Sequence, residues 1–171
     1  MIDLLRANEP DGDYPRTYYH ATATGMTPCP PLQGDRRADV CIIGAGFTGL
    51  SAALNLAGKG MEVVVLEANR IAWGATGRNG GQMSSGQRVD QLTLERMLGV
   101  DRARALWHLA EEAKAEVRRI ATEHRIACDL RPGVLHTELT ERGFAEARRK
   151  AAHLEQALGY DQLEVLDRTA V

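Results

Sequence analysis

Cysteine is scarce in this sequence. The three present, Cys29, Cys41 and Cys128, are far apart, odd in number and outside any CxxC spacing. That pattern argues against a disulfide framework and against a structural zinc site, so no metal is expected. Cys41 sits in an apolar run, where the expected role is that of a small buried hydrophobe. Long apolar runs are missing as well. No stretch reaches the roughly 18 consecutive apolar residues of a membrane helix. Residues 1–6 lead into Asn8-Glu9-Pro10-Asp11-Gly12-Asp13, not into the apolar centre of a signal peptide. These absences set a cytoplasmic location as the expectation. Neither sign of charge dominates: the net charge of −2 gives no electrostatic footing for nucleic acid or a membrane surface, and neither is expected as a partner. Internal repeats and low-complexity tracts are also lacking.

What remains is the composition of an ordinary folded domain, with 171 residues and 44% hydrophobic content. Residues 1–37 hold five of the six prolines and three of the four tyrosines, Tyr14, Tyr18 and Tyr19. Proline fixes φ and removes a donor, so this part reads as an extended arm, and its tyrosines suggest that it packs on something. Residues 39–44 form a short β-branched run that reads as a buried strand. A helix is expected over 47–59, with Leu50, Ala53, Leu54 and Ala57 on one face and Gly60 as its stop. Residues 61–67 read as a second buried strand, parallel to the first. Helical spacing returns over 91–98. Asp101 then suggests an N-cap for a helix to about His124, with Leu106, Leu109, Ala113, Val117 and Ile120 as its apolar face. Residues 128–130 and 134–137, around Arg131-Pro132-Gly133, read as two strands joined by a turn. A last helix carries Phe144, Ala147, Ala151, Leu154 and Leu158 on one face and has Gly159 past its end. Residues 163–166 offer another strand. The expected division is an arm over 1–37, a dinucleotide-binding segment over 38–125, and the start of a second region over 126–171.

Between the two strands of the second block lies Gly44-Ala45-Gly46-Phe47-Thr48-Gly49, a G-x-G-x-x-G pattern. Alone it is weak. Here it follows a β-type run, opens a helical run, and precedes a second strand that ends in an acid, Glu67, which together make a dinucleotide fingerprint. Each position has a physical task. Gly44 permits the tight turn out of the strand, Gly46 lets backbone approach a pyrophosphate, and Gly49 lets the helix lie close to the strands. The helix N-terminus offers unpaired N–H groups and partial positive charge to phosphate. Glu67 can accept hydrogen bonds from ribose hydroxyls, and its charge would repel a 2′-phosphate, which argues against NADP.

The fingerprint by itself serves NAD and FAD alike. Just after the acid comes a second glycine-rich stretch: Gly74, Ala75, Thr76, Gly77, Arg78, Asn79, Gly80, Gly81 and Gln82. Glycines there suit backbone lying against a ligand, and Thr76, Arg78, Asn79 and Gln82 add hydrogen-bonding groups. A mobile surface loop is the plain alternative.

Taken together, Asp39-Val-Cys-Ile-Ile-Gly-Ala-Gly-Phe-Thr-Gly-Leu-Ser-Ala-Ala53, Val63-Val-Val-Leu-Glu-Ala68 and Trp73-Gly-Ala-Thr-Gly-Arg-Asn-Gly-Gly-Gln82 resemble the FAD-dependent oxidoreductases of the D-amino-acid oxidase type. Within that family the resemblance is to the gamma-glutamylputrescine-oxidising branch. It extends upstream through Tyr18-Tyr19 and Pro31-Leu32-Gln33-Gly34, and downstream through Cys128-Asp-Leu130 and residues 163–167. It implies an α/β, Rossmann-like FAD-binding segment, a βαβ unit with a parallel sheet, incomplete and followed by the start of a second α+β region. It implies FAD as the cofactor. It assigns Gly44, Gly46, Phe47, Thr48 and Gly49 to the pyrophosphate, and Glu67 and Ala68 to the adenosine ribose. The stretch toward the flavin falls to Gly74, Ala75, Thr76, Arg78, Asn79, Gly80, Gly81 and Gln82, with Arg78 as the positive neighbour of the ring. Members of the family are much longer, so the chain is expected to be the N-terminal portion of such an enzyme and inactive alone.

The activity implied is oxidation of the C–N bond of a small amine or amino acid to an imine, with oxygen as electron acceptor. A dehydrogenase using another acceptor and a non-catalytic dinucleotide-binding fragment are the alternatives. No residue stands out as a catalytic acid or base. His108, His124 and His153 lie on expected helices, where a surface or internally bonded histidine is the plain reading.

Overall fold

The computed structural model describes residues 14–23 and 27–170. The rest of the expected arm, residues 1–13 and 24–26, lies outside the described residues. The chain divides into two compact units, Met1–Gly81 and Gln82–Val171. The boundary expected near residue 125 falls inside the second.

In the first unit, a short helix α1 (Tyr18–Thr22) interrupts the arm, which is therefore not extended throughout. Buried Pro15 sits just outside this helix, and the Thr17 hydroxyl caps it by accepting from His20 N at 3.2 Å. The arm does pack. The Tyr14 hydroxyl donates to the Ile71 carbonyl at 2.8 Å, and its ring stacks on His20. Burial pushes the Tyr14 phenol above its ordinary pKa, so it remains a donor. Strand β1 (Val40–Ile43) then leads through the glycines into helix α2 (Phe47–Gly58) and back along strand β2 (Val63–Leu66). The strands pair in parallel, Val40 opposite Val63 and Ile43 opposite Leu66.

Both strands were expected to be buried, and they are only half so. Successive strand side chains point to opposite faces. Ile42 lies toward α2, where a Cβ added at Gly49 would meet its Cγ2. Its neighbours Cys41 and Ile43 therefore face the other way and are exposed, so Cys41 is not the buried hydrophobe expected of it. Among the described residues α2 covers one face of the two-stranded sheet, and on the other Cys41 and Ile43 are exposed while Val64 and Leu66 are half-buried. The close approach at Gly49 also sets which side of α2 meets the sheet. Ala53 and Leu56, stacked above Gly49, are half-buried, whereas Leu50 and Leu54 are exposed.

The second unit is helical among its described residues. Helix α3 (Gln91–Leu98) is capped by Asp90, whose side chain accepts from Thr93 N. Helix α4 (Val100–Glu123) follows after one residue, Gly99, at φ +83°. Gly99 thus ends one helix and begins the next, and Asp101 lies in the first turn and not at the cap. The buried face of α4 is Ala103, Trp107 and Lys114, about one residue round from the face expected, and Leu109 and Val117 are exposed. Trp107 decides this. Its ring meets Tyr160 edge-on at 5.0 Å and closes over Gly86. On the same face, Lys114 pairs with Glu111 at 2.9 Å and donates to the Ser85 hydroxyl, which also bonds Tyr160.

Helix α5 (Glu141–Leu158) matches expectation. Thr140 caps it, all five expected apolar residues are half-buried, and Gly159 ends it in the left-handed conformation. It is tied back through His153 to Glu95 at 2.9 Å. The strands expected at 128–130, 134–137 and 163–166 do not form. Those segments have no ladder partner among the described residues, and Leu130, Val134 and Leu135 are exposed. Gly133 keeps its turn, with φ +90°.

Candidate dinucleotide site

The site grows from the end of β1. Gly44 N still donates to Leu66 O at 2.7 Å, and Gly44 then turns the chain with φ +99°. Nothing lies within 4 Å of a Cβ placed there, so the need for glycine is conformational and not spatial. Gly49 is the reverse case. A Cβ would fall deep inside the van der Waals surface of the Gly44 carbonyl oxygen, so the glycine lets α2 start against the strand. The first N–H groups of α2 have no acceptor within the helix and are directed at its N-terminal end.

Glu67 is joined to this turn. One carboxylate oxygen accepts from Ala45 N at 2.8 Å, and the other from Asn69 N at 3.0 Å. The sequence did not point to these backbone partners, because Ala45 carries no functional group and the contact spans the whole βαβ unit. Ala45 is 2% exposed, so water cannot replace the lost acceptor. Glu67→Ala is expected to destabilise the protein by about 1–3 kcal/mol. Glu67→Gln should also destabilise it, since a carboxamide offers one oxygen where two N–H donors approach different atoms. Urea unfolding of both variants checks this, and an unchanged midpoint in Glu67→Gln would remove the argument.

The second glycine-rich stretch comes back to the first. Ala72 N donates to Ala45 O at 2.9 Å, and Phe47 N, at the start of α2, donates to the Thr76 hydroxyl at 3.1 Å. A Cβ at Gly46 would press on the same hydroxyl. A 3-10 turn (Ala75–Gly77) carries Thr76 into place. The two stretches flank an open cleft of about 530 Å³, lined by Ile43, Gly44, Gly46, Phe47, Thr48 and Gly49 from one side and by Ala75, Thr76 and Asn79 from the other. That volume is in the range of small-molecule sites.

Of the residues singled out in the sequence, these glycines with Phe47, Thr48, Ala75, Thr76 and Asn79 therefore line one cleft. Glu67 braces it from behind. Ile43 joins it unexpectedly, as the last residue of β1. Ala68, Gly74, Gly80 and Gly81 are exposed and do not line the cleft. Arg78 lies over the Trp73 indole at 4.4 Å and donates to the Trp73 carbonyl. Gln82 is the first residue of the second unit. The histidines lie elsewhere. His153 is bonded to Glu95, His108 is exposed, and His124 ends α4.

The family model described as FAD dependent oxidoreductase matches residues 39–171. The chain belongs to this FAD-dependent oxidoreductase family. Gamma-glutamylputrescine oxidoreductase of Escherichia coli (strain K12) is 38% identical to it over 159 residues, covering 93% of this chain and 37% of the relative. Probable oxidoreductase OrdL of Rhizobium meliloti (strain 1021) is 41% identical, covering 89% of this chain and 36% of the relative. A protein of the same name from Haemophilus influenzae is 35% identical, covering 92% and 36% respectively. The chain thus spans a little over a third of the length of these relatives. No solved structure matches it. Among the described residues, no helix is long and apolar enough to cross a membrane.

The cleft has a chemistry that suits the diphosphate of the cofactor the family is described by. A helix N-terminus, two glycine-rich backbones and a threonine hydroxyl converge on it, with no carboxylate among the lining residues.

Proposed function

We propose that the protein is a flavoenzyme that oxidises the C–N bond of a small amine or amino acid to an imine, with FAD held in the cleft at the start of α2. The observation that carries this reading is the convergence of both glycine-rich stretches on one helix N-terminus. Gly44, Gly46, Phe47, Thr48 and Gly49 would hold the pyrophosphate. Glu67 and Ala68 would meet the adenosine ribose. Each Glu67 oxygen retains a lone pair after its backbone bond, so the carboxylate can still accept from ribose hydroxyls. The strip from Gly74 to Gln82 would follow the cofactor toward its ring. Arg78 would supply positive charge there, and a preorganised cation favours the reduced, negatively charged ring.

Bound there, FAD supplies a two-electron acceptor for the carbon beside the amine. The chain's own part is to bind and orient the cofactor. The substrate class follows the name of one relative, gamma-glutamylputrescine oxidoreductase, which makes that amine the first to try, and oxygen is the proposed acceptor.

Denaturing the full-length protein and identifying the released nucleotide tests the cofactor. FAD is expected, and recovery of NAD without flavin would overturn the reading. Amine-dependent peroxide release tests the acceptor. Amine-dependent dye reduction without peroxide would mean a dehydrogenase instead.

A further inference from the structure

The sequence placed Asn79 among the groups that would touch the cofactor, and it does line the cleft. Its side-chain bonds describe a different task. The carboxamide donates to the Ala75 carbonyl at 3.2 Å and to the Thr76 carbonyl at 2.7 Å, and its oxygen accepts from Gly81 N at 2.8 Å. A carboxamide has two N–H donors, and both are engaged. The orientation is set by the partners. Two carbonyls require the nitrogen on their side, and one backbone N–H requires the oxygen on the other.

We infer that Asn79 is the positioning residue of the second glycine-rich stretch, serving the cofactor through the loop and not by contact. The inference rests on the reading of the cleft as the FAD site. The chain of cause is short. Asn79 holds the Thr76 backbone, and the Thr76 hydroxyl holds Phe47 N at the head of α2. The bond to Gly81 N fixes where the loop ends. Asn79 also has an electrostatic effect. Two carbonyl oxygens carrying partial negative charge belong to residues lining a site for an anion; the Asn79 NH₂ group satisfies that of Thr76 and shares that of Ala75 with Arg78 N. The turn at Ala75–Gly77 has its own backbone bonds, whereas Gly80 and Gly81 after it give the chain conformational freedom that the bond to Gly81 N restricts.

Two variants separate this from direct ligation. Asn79→Leu removes all three bonds and keeps the branched shape of the side chain. Asn79→Asp keeps an acceptor for Gly81 N and loses both donors. The readouts are backbone hydrogen exchange over residues 75–81 in the full-length protein stripped of flavin, and FAD affinity by titration. For Asn79→Leu, exchange at Gly81 should speed up without any ligand present, and FAD affinity should fall about tenfold or more. For Asn79→Asp, Gly81 should stay protected while affinity still falls. If Asn79→Leu weakens FAD binding but leaves exchange in the stripped protein unchanged, Asn79 is a direct ligand and the inference fails. If neither readout moves, it also fails. Should the unaltered protein bind no FAD, the cleft reading falls by itself, and the exchange comparison still decides whether Asn79 holds the loop.

Discussion

Gly49→Ala is expected to disrupt the βαβ unit, destabilising the protein by about 3 kcal/mol or more, toward the upper end of overpacking penalties. One added carbon would overlap the Gly44 carbonyl oxygen and crowd Ile42 Cγ2. Neither neighbour can yield cheaply. Gly44 is held by its bond to Leu66 O and by its positive φ, and Ile42 is in the middle of a paired strand. Relief requires α2 to lift off the sheet. That would carry Phe47 N away from Thr76 and open the cleft, so FAD affinity should fall together with stability. The same substitution at the other end of the helix is the control. Nothing lies within 4 Å of a Cβ at Gly58, the last residue of α2. Gly58→Ala should therefore be neutral or stabilise the protein by up to about 1 kcal/mol, the difference in helix propensity. Urea unfolding and FAD titration of both variants make the comparison. Equal midpoints for the two would refute the close-approach argument.

The other large effect is expected at Trp107. The residue is 5% exposed, and its ring meets Tyr160 edge-on and covers Gly86. Trp107→Ala should destabilise the second unit by about 3–5 kcal/mol, as buried aromatic truncations do. Loss of the ring would also admit water to the bonds linking Lys114, Ser85 and Tyr160. Tyr160→Phe isolates one part of this. It keeps the aromatic contact and removes the bond to Ser85, for an expected loss of about 1 kcal/mol. Thermal and urea unfolding should rank the variants in that order. A Trp107→Ala change of less than about 1 kcal/mol would show that the unit is held elsewhere.

Much of the fold could be read from local pattern. β1, β2, α2, α3 and α5 lie where apolar spacing and glycines predicted them, because these signals act within a few residues. The fingerprint glycines were legible for the same reason. Their roles depend on missing side chains, which sequence shows directly. The three expected strands after residue 127 failed because apolar character favours a strand only where a neighbouring strand can complete its hydrogen bonds.

By itself, the sequence determined that this protein contains a strand–glycine turn–helix–strand unit ending in Glu67, and that a second glycine-rich stretch follows it. Turn conformation and the extent of a helical run are short-range properties, so the chain's own order suffices for them. Only the tertiary structure decided which faces are covered. The contact at Gly49 turned Ala53 and Leu56 toward the sheet, and the Trp107 ring chose the buried side of α4 and drew Lys114 inward with it. It also decided that Glu67 braces Ala45 and that Asn79 is bonded within its own loop. Those outcomes depend on which backbone N–H and carbonyl groups are left without partners once the elements have packed. That follows from distance in space and not from spacing along the chain.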